Sequence, residues 1–137
     1  MKSILSLITP KKLTYSITEG ESLRGVIEKF KTHKYTVVPY IDKQGKYLGT
    51  LSEGDLLRYI TNLPNFTLEL AEHISINVVD RYRSYQALNS NATLLEAIAL
   101  SLEQNFIPLI DDRGLFIGII KRKEILAFLF EKRLDKK

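Results

Sequence analysis

A segment in the first half of this chain recurs in the second half. The stretches VVPYIDKQGKYLGTLSEGDLL (37–57) and FIPLIDDRGLFIGIIKRKEIL (106–126) align without a gap at an offset of 69 positions. The matched positions include Pro39 with Pro108, Asp42 with Asp111, Gly45 with Gly114, and Gly49 with Gly118. A fixed internal period indicates that the chain contains two copies of one structural unit.

Each copy has the pattern of helix, strand, turn, strand and helix. In the first copy, Leu23, Val26, Ile27 and Phe30 have helical spacing, and Ser22 or a Thr18-Glu21 pair is available to cap that helix. TVVPYI (36–41) and YLGTL (47–51) are rich in β-branched and aromatic residues, and the intervening DKQG favours a turn. Since one such unit has little core, we expect the two to pack together as one α+β module.

Three further expectations concern the organisation of the chain. We assign residues 1–62 to the first repeat, 63–80 to a linker with a short helix (68–74), and 81–137 to the second repeat with a basic tail. Pro39 and Pro108 cannot donate to a strand ladder, which favours a sheet edge, a bulge or the lip of a cavity for their strands. The apolar ILSLI (4–8) is too short to span a bilayer, and we expect it to pack on the linker helix or on a partner copy.

Composition and charge narrow the function classes. The chain is 45% hydrophobic and 26% charged with no cysteine, which is typical of a soluble domain, excludes disulfides and Cys-ligated zinc, and makes the cytoplasm the default location. The net charge of +4 comes entirely from the part after residue 120, and the first 120 residues are neutral overall, which disfavours a nucleic-acid-binding surface along the chain. His33 and His73 have no partner at ligand spacing, and Asp111 aligns with the turn residue Asp42, so we expect neither a metal site nor a catalytic group.

An apolar helix followed by V-V-P-Y-I-D-x-x-G-x-Y-L-G-T-L-S-x-x-D-L-L, and its repetition, resemble a tandem pair of CBS domains, the family named for cystathionine β-synthase. The resemblance covers nearly the whole chain. It implies two pseudo-symmetric β-α-β-β-α repeats with nucleotide clefts between them. The family's usual ligands are adenosine compounds such as AMP, ADP, ATP, S-adenosylmethionine or cyclic di-AMP. The chain is also similar to small stand-alone bacterial members, which form disc-shaped dimers and act as sensors.

Ser52 and Asp55, at the start of a helix, have two interpretations. Their spacing alone predicts a capping box, in which the side chains bond the free N–H groups of the helix start. The resemblance instead implies that Asp55 binds the ribose hydroxyls and that Ser52 lies beside the ribose or phosphate, where the helix N-terminus also favours an anion. The adenine slot of this copy would be lined by Tyr15, Tyr35, Thr36, Val38 and Pro39.

The second copy departs from the pattern, with Lys121 in place of Ser or Thr and Glu124 in place of Asp. Three consecutive cations, Lys121 to Lys123, oppose the dipole of the helix that they begin. Either Glu124 and solvent compensate them, or Lys121, Arg122 and Lys123 hold a di- or polyphosphate; ribose binding by Glu124 stays open. The other expected members of this cleft are Arg81, Arg83, the segment Tyr85-Gln86-Ala87, Phe106 and Pro108.

We therefore predict a regulatory module, and not an enzyme, that binds an adenine nucleotide, requires no cofactor and signals occupancy to an effector protein. The alternative is a ligand-independent interaction module with a degenerate second cleft. A nucleic-acid-binding factor is a weaker third candidate. Two apolar helix stripes also predict a homodimer, and they consist of Leu56, Leu57 and Ile60 and of Ile125, Leu126 and Leu129.

Overall fold

The computed structural model describes residues 3–135 of the chain. In chain order its strands and helices are β1 (Thr9–Pro10), β2 (Ile17–Thr18), α1 (Leu23–His33), β3 (Val37–Ile41), β4 (Tyr47–Ser52), α2 (Glu53–Thr61), α3 (Leu68–Glu72), β5 (Leu88–Asn89), α4 (Leu94–Ser101), β6 (Phe106–Ile110), β7 (Phe116–Lys121) and α5 (Arg122–Asp135). The α+β class predicted from the sequence is confirmed, and so is the order of elements in each repeat.

The contacts divide the described residues into two units. The first unit consists of residues 15–84, and the second consists of residues 3–14 together with 85–135. The sequence predicts boundaries at 62 and 80. In the structure the N-terminal segment joins the second unit, and both the linker (63–80) and residues 81–84 join the first.

The first unit is a three-stranded sheet with helices α1, α2 and α3. The strand order is β2-β3-β4, in which β2 is parallel and β4 antiparallel to β3. Helix α1 begins at Leu23 because the Ser22 hydroxyl accepts a hydrogen bond from the Gly25 N–H at 3.0 Å. As predicted, α1 faces the core with Leu23, Val26 and Phe30. The buried core also includes Ile17, Val38, Tyr40, Leu51, Leu56, Ala71, Ile76 and Val79.

The second unit repeats this arrangement and adds one strand. Its sheet has the order β1-β7-β6-β5, and β1 comes from the N-terminal segment. Ile4 is 1% exposed and lies in the core of this unit, among residues that include Ile107, Leu109 and Ile120. The expectation that ILSLI packs on the linker helix or on a partner copy is therefore wrong for Ile4. Ile4 packs within the second unit because its burial there removes apolar surface from water.

The strand prolines occupy the middle of each sheet, so the expectation of a sheet edge is wrong. Strands β3 and β6 each have a neighbour on both sides. The two-residue parallel strand beside each of them pairs only with the two residues that follow Pro39 or Pro108. Between these same two residues, the register with the antiparallel neighbour shifts. A proline is tolerated where parallel pairing has not yet started, and the register shifts agree with the expected bulge.

Two aligned glycines admit a close approach of another chain segment. A Cβ at Gly49 would collide with the side chains of Arg81 and Ser84, and a Cβ at Gly118 would collide with the Thr9 carbonyl and the Ile8 side chain. Each unit therefore contains the segment that leads into the other repeat. Within residues 3–135, no helix has the length and apolar character needed to cross a membrane.

Candidate functional site

Ser52 and Asp55 form the capping box that their spacing predicts. Strand β4 ends at Ser52 and helix α2 begins at Glu53. The Ser52 hydroxyl accepts from the Asp55 N–H at 3.1 Å, and Asp55 Oδ2 accepts from the Ser52 N–H at 2.9 Å. The start of α2 is thus satisfied by its own side chains.

The Asp55 carboxylate is also bonded to the segment that follows the linker. It is 1% exposed, and its Oδ1 accepts from Arg58 Nη2 at 2.6 Å and from the Tyr82 N–H at 2.9 Å. A carboxylate oxygen has two acceptor positions, so Oδ1 is fully used and Oδ2 retains one. A ribose diol would therefore have to use the remaining position on Oδ2 or replace one of these donors.

One face of α2 and residues 80–82 form a groove with a volume of about 450 Å³. The Arg58 guanidinium lies 4.8 Å from the centre of the Tyr82 ring, a cation–π distance. Asp55, Arg58, Tyr59 and Asn62 line the groove at the spacing of one helical face, a signal that was present in the sequence but was not used. Sequence reasoning therefore missed Arg58, Tyr59, Asn62, Asp80 and Tyr82.

Arg81 and Arg83, which the sequence assigned to the second cleft, belong to the first unit. Arg81 Nη1 donates to the Leu48 carbonyl at 2.9 Å, and its guanidinium lies 4.6 Å from the centre of the Tyr40 ring. The Arg83 carbonyl accepts from Thr50 Oγ1 at 3.3 Å. Within the first unit, both residues hold the segment before Tyr85 against β4.

Tyr15 and Tyr35, which the sequence predicts to line an adenine slot, lie side by side in the first unit, and this pair of rings is called the aromatic slot below. Their ring centroids are 5.2 Å apart, and Tyr15 is 47% exposed. His33, at the end of α1, is an exposed histidine, as the sequence suggests, and its ring lies 4.1 Å from that of Tyr15 and 5.5 Å from that of Tyr35. Burial, with a smaller contribution from the neighbouring Tyr15, raises the pKa of Tyr35.

The aromatic slot adjoins the start of α2. The Thr36 carbonyl accepts from the Glu53 N–H at 2.9 Å, and Val37 is the register partner of Ser52. Val38 and Pro39 are buried, and Val38 belongs to the hydrophobic core. The structure thus brings Tyr15, Tyr35 and Thr36 close to the capping box, whereas Val38 contributes to the core.

In the second unit, the segment before β5 that contains Gln86 is held by Gln104, which sequence reasoning did not single out. Its side chain is buried and bonds the backbone of Gln86 and of Phe106. The Tyr85 and Phe106 rings lie beside each other, with centroids 4.8 Å apart. Ala87 is half-buried and Pro108 is buried in β6.

The three cations at the start of α5 are not equivalent. Arg122 Nε donates to the Ser101 carbonyl at 2.7 Å and so satisfies an acceptor at the end of α4. Lys123 is exposed, and Lys121 and Glu124 are half-buried. Arg122 therefore has a structural partner, while neither Lys121 nor Lys123 forms an ion pair with any residue from 3 to 132.

The turn aspartates have the role that the repeat predicts. Asp42 Oδ1 accepts from the N–H groups of Gln44 and Lys46, and Asp111 Oδ1 accepts from those of Arg113 and Leu115. The Leu115 hydrogen bond is the largest cause of a lowered pKa for the Asp111 carboxyl, and Arg113 adds to it. Among the side chains of residues 3–132, no group of three His, Asp or Glu is placed to hold a metal ion.

Comparison with known proteins identifies the family of this chain. An uncharacterized protein of Methanocaldococcus jannaschii is 25% identical over 141 aligned positions, which cover 82% of this chain and 84% of that protein. The crystal structure of CbpB in complex with c-di-AMP has a TM-score of 0.85 at 24% identity and covers 99% of this chain and 91% of its own. CBSX2 in complex with AMP has a TM-score of 0.73 at 22% identity and covers 97% and 99%. The family model for the CBS domain matches residues 10–62 and 78–131, so this chain belongs to the CBS-domain family and carries two copies of the domain.

Proposed function

We propose that this protein is a regulatory module that binds an adenine nucleotide and signals its occupancy to another protein. Membership of the CBS-domain family supports the proposal, as do the structural relatives CbpB, which binds c-di-AMP, and CBSX2, which binds AMP. The observation that carries it is the exposed aromatic slot of Tyr15 and Tyr35 beside the start of α2.

The two parts of this site suit the two ends of a nucleotide. Stacking of a base on an aromatic side chain contributes roughly 1–3 kcal/mol. The positive partial charge of a helix start favours a phosphate. Ser52 keeps its hydroxyl proton available as a donor. One acceptor position of Asp55 Oδ2 is unused, but the carboxylate is 1% exposed, so a ribose hydroxyl would reach it only if a neighbouring group moved aside.

Calorimetric titration with AMP, ATP and cyclic di-AMP tests this function. We expect at least one of the three to bind, and we expect Tyr15→Ala to weaken that binding about tenfold or more, since it removes one stacking surface. Leu95→Ala is the control, because Leu95 is 75% exposed and lies on α4, which belongs to the second unit. Normal affinity in the Tyr15→Ala variant would contradict the assignment of the slot.

Exposed apolar side chains support a second candidate, an interaction module that acts without a ligand. A groove of about 450 Å³ on the first unit is lined by residues of α1 and α2 that include Ile27, Phe30, Leu57 and Ile60. A protein that binds none of the three nucleotides but still associates with itself or with a partner would favour this candidate. We propose a homodimer under either function.

A further inference from the structure

The second unit carries different side chains at the positions equivalent to Tyr15 and Tyr35, the aromatic slot of the first unit. These equivalent positions are called the second slot below. Tyr35 and Gln104 each lie four residues before the proline of the middle strand. The parallel strands β2 and β5 have equivalent registers, and two residues before each of them stand Tyr15 and Gln86. The tyrosine pair of the first unit is therefore replaced by a glutamine pair in the second.

Gln104 makes three hydrogen bonds across the slot of the second unit. Its Oε1 accepts from the Gln86 N–H at 2.8 Å, and its Nε2 donates to the Gln86 carbonyl at 3.1 Å and to the Phe106 carbonyl at 3.2 Å. The side chain is 7% exposed. One carboxamide thus satisfies both backbone polar groups of residue 86.

The slot of the first unit has no such closure. Tyr35 ends in a phenol and packs beside the Tyr15 ring. Among residues 3–135, no group forms a hydrogen bond with the Tyr15 backbone N–H or carbonyl. These two backbone groups have no partner among the described residues, and the Tyr15 ring, which packs against His33 and Tyr35, is 47% exposed.

The chemistry of the carboxamide indicates what it replaces. The pairing edge of adenine offers one ring-nitrogen acceptor beside one exocyclic amino donor, and a carboxamide offers the same acceptor and donor side by side. A base that entered the second slot would have to displace Gln104 and would regain only the two bonds to residue 86. The bond to Phe106 would be lost, and Gln104 would need new partners.

We infer that Gln104 occupies the position of a base edge in the second unit and closes that slot, so that nucleobase recognition belongs to the Tyr15–Tyr35 slot alone. Gln104 is thereby the residue that limits each chain to one base. This inference rests on the proposed function, and it adds a specific stoichiometry to it.

The test is the number of AMP molecules bound per chain, measured by calorimetry on the intact protein. We expect one AMP for the wild type and two for Gln104→Ser, whose short side chain cannot bridge to residue 86. Gln104→Glu is a second variant, because its carboxylate still accepts from the Gln86 N–H but cannot donate to either carbonyl. Gln44→Ser is the control, since Gln44 is an exposed turn residue of the first unit.

Amide hydrogen exchange at Gln86 provides a readout that is independent of nucleotide. We expect slow exchange in the wild type, faster exchange by at least tenfold in Gln104→Ser, and renewed protection of that variant on addition of AMP. Two AMP molecules on the wild type, or one on a Gln104→Ser variant whose Gln86 amide has become unprotected, would overturn the closure but not the proposed function. Binding only by Gln104→Ser would support the closure and overturn the first-unit slot, and no binding by either protein would overturn both.

Discussion

At the scale of single residues, Asp55 shows how a motif aspartate acquires structural partners. Its carboxylate links the backbone at the start of α2, the Arg58 side chain and the Tyr82 N–H. Because the group is 1% exposed, each of these bonds is shielded from water. The ribose interpretation drawn from family resemblance remains a proposal, whereas the capping interpretation drawn from spacing is confirmed.

Replacing Asp55 with Asn should lower the free energy of unfolding by about 1–3 kcal/mol. The amide group would either face the Ser52 N–H, donor against donor, or lose the contacts to Arg58 and Tyr82. Urea denaturation measures the change. Glu53→Gln is the matched control, because Glu53 is an exposed acid in the same first turn, and its loss should be below about 0.5 kcal/mol. Equal losses in the two variants would argue against a structural role for the buried carboxylate.

Asp111 should make stability depend on pH at the acid end. The N–H groups of Leu115 and Arg113 lower its pKa from the ordinary value of 3.8, so the folded state favours the charged carboxylate. The stabilisation is present above the ordinary pKa and is lost as the pH falls through the folded pKa. Asp111→Asn keeps an acceptor oxygen but cannot titrate, so its unfolding midpoint should change less than that of the wild type below about pH 4. Glu103→Gln, at an exposed position, serves as the control. An unfolding midpoint that depends on acid pH in the same way in the wild type and in Asp111→Asn would contradict the expectation.

Which site residues were predictable depends on whether they carry a local pattern. Tyr15, Tyr35, Ser52 and Asp55 could be predicted as site residues because a repeated motif includes or adjoins them, and their role in nucleotide binding stays a prediction. Gln104 was missed because a glutamine in a helix-to-strand connection has no distinctive spacing, and its role depends on contact with a backbone 18 positions away. His33 was missed for the same reason, since its partner Tyr15 lies beyond the opposite end of α1.

At the scale of elements, the strands and helices inside each repeat were predictable, but the short strands that complete the sheets were not. The hydrophobic pattern identified β3, β4, β6 and β7 and the helices around them. Strand β1 has only two residues, one of them proline, and its partner β7 lies at the other end of the chain. Of the three positions predicted for the proline strands, the bulge agrees with the register shifts, whereas the sheet edge is wrong, because two-residue neighbours such as β2 leave no periodic signal.

The close approach of β1 to β7 should make Gly118 sensitive to substitution. At φ 153° an alanine would be strained, and its Cβ would also collide with the Thr9 carbonyl and Ile8. We expect Gly118→Ala to lower the free energy of unfolding by roughly 2–5 kcal/mol, combining strain and overpacking. Gly114→Ala is the matched control, since its φ of 82° is strained but nothing lies within 4 Å of the added atom, and it should lose only roughly 1–2 kcal/mol. Similar losses in thermal or urea unfolding would show that the β1 approach does not constrain Gly118.

At the scale of the whole molecule, the repeat exposes equivalent apolar side chains in both units. Leu57 of α2 and Leu126 of α5 occupy the same motif position and are 63% and 57% exposed. The neighbouring Leu56 and Ile125 are buried at 6% and 1%. Each predicted helix stripe therefore divides between core and surface, and the surface parts are related by the internal repeat.

Related apolar surfaces of this kind favour a self-complementary interface, so we expect a homodimer in solution. A stable interface buries about 1,200–2,000 Å² in total, and its apolar centre does not tolerate charge. The double substitution Leu57→Glu and Leu126→Glu should convert the dimer to a monomer, measured by light scattering after gel filtration at about 50 μM, where a dimer with sub-micromolar affinity is fully formed. Leu13→Glu is the control, because Leu13 is 74% exposed but lies on neither helix. A wild-type protein that stays monomeric at this concentration, or a double variant that stays dimeric, would show that these leucines do not form the interface.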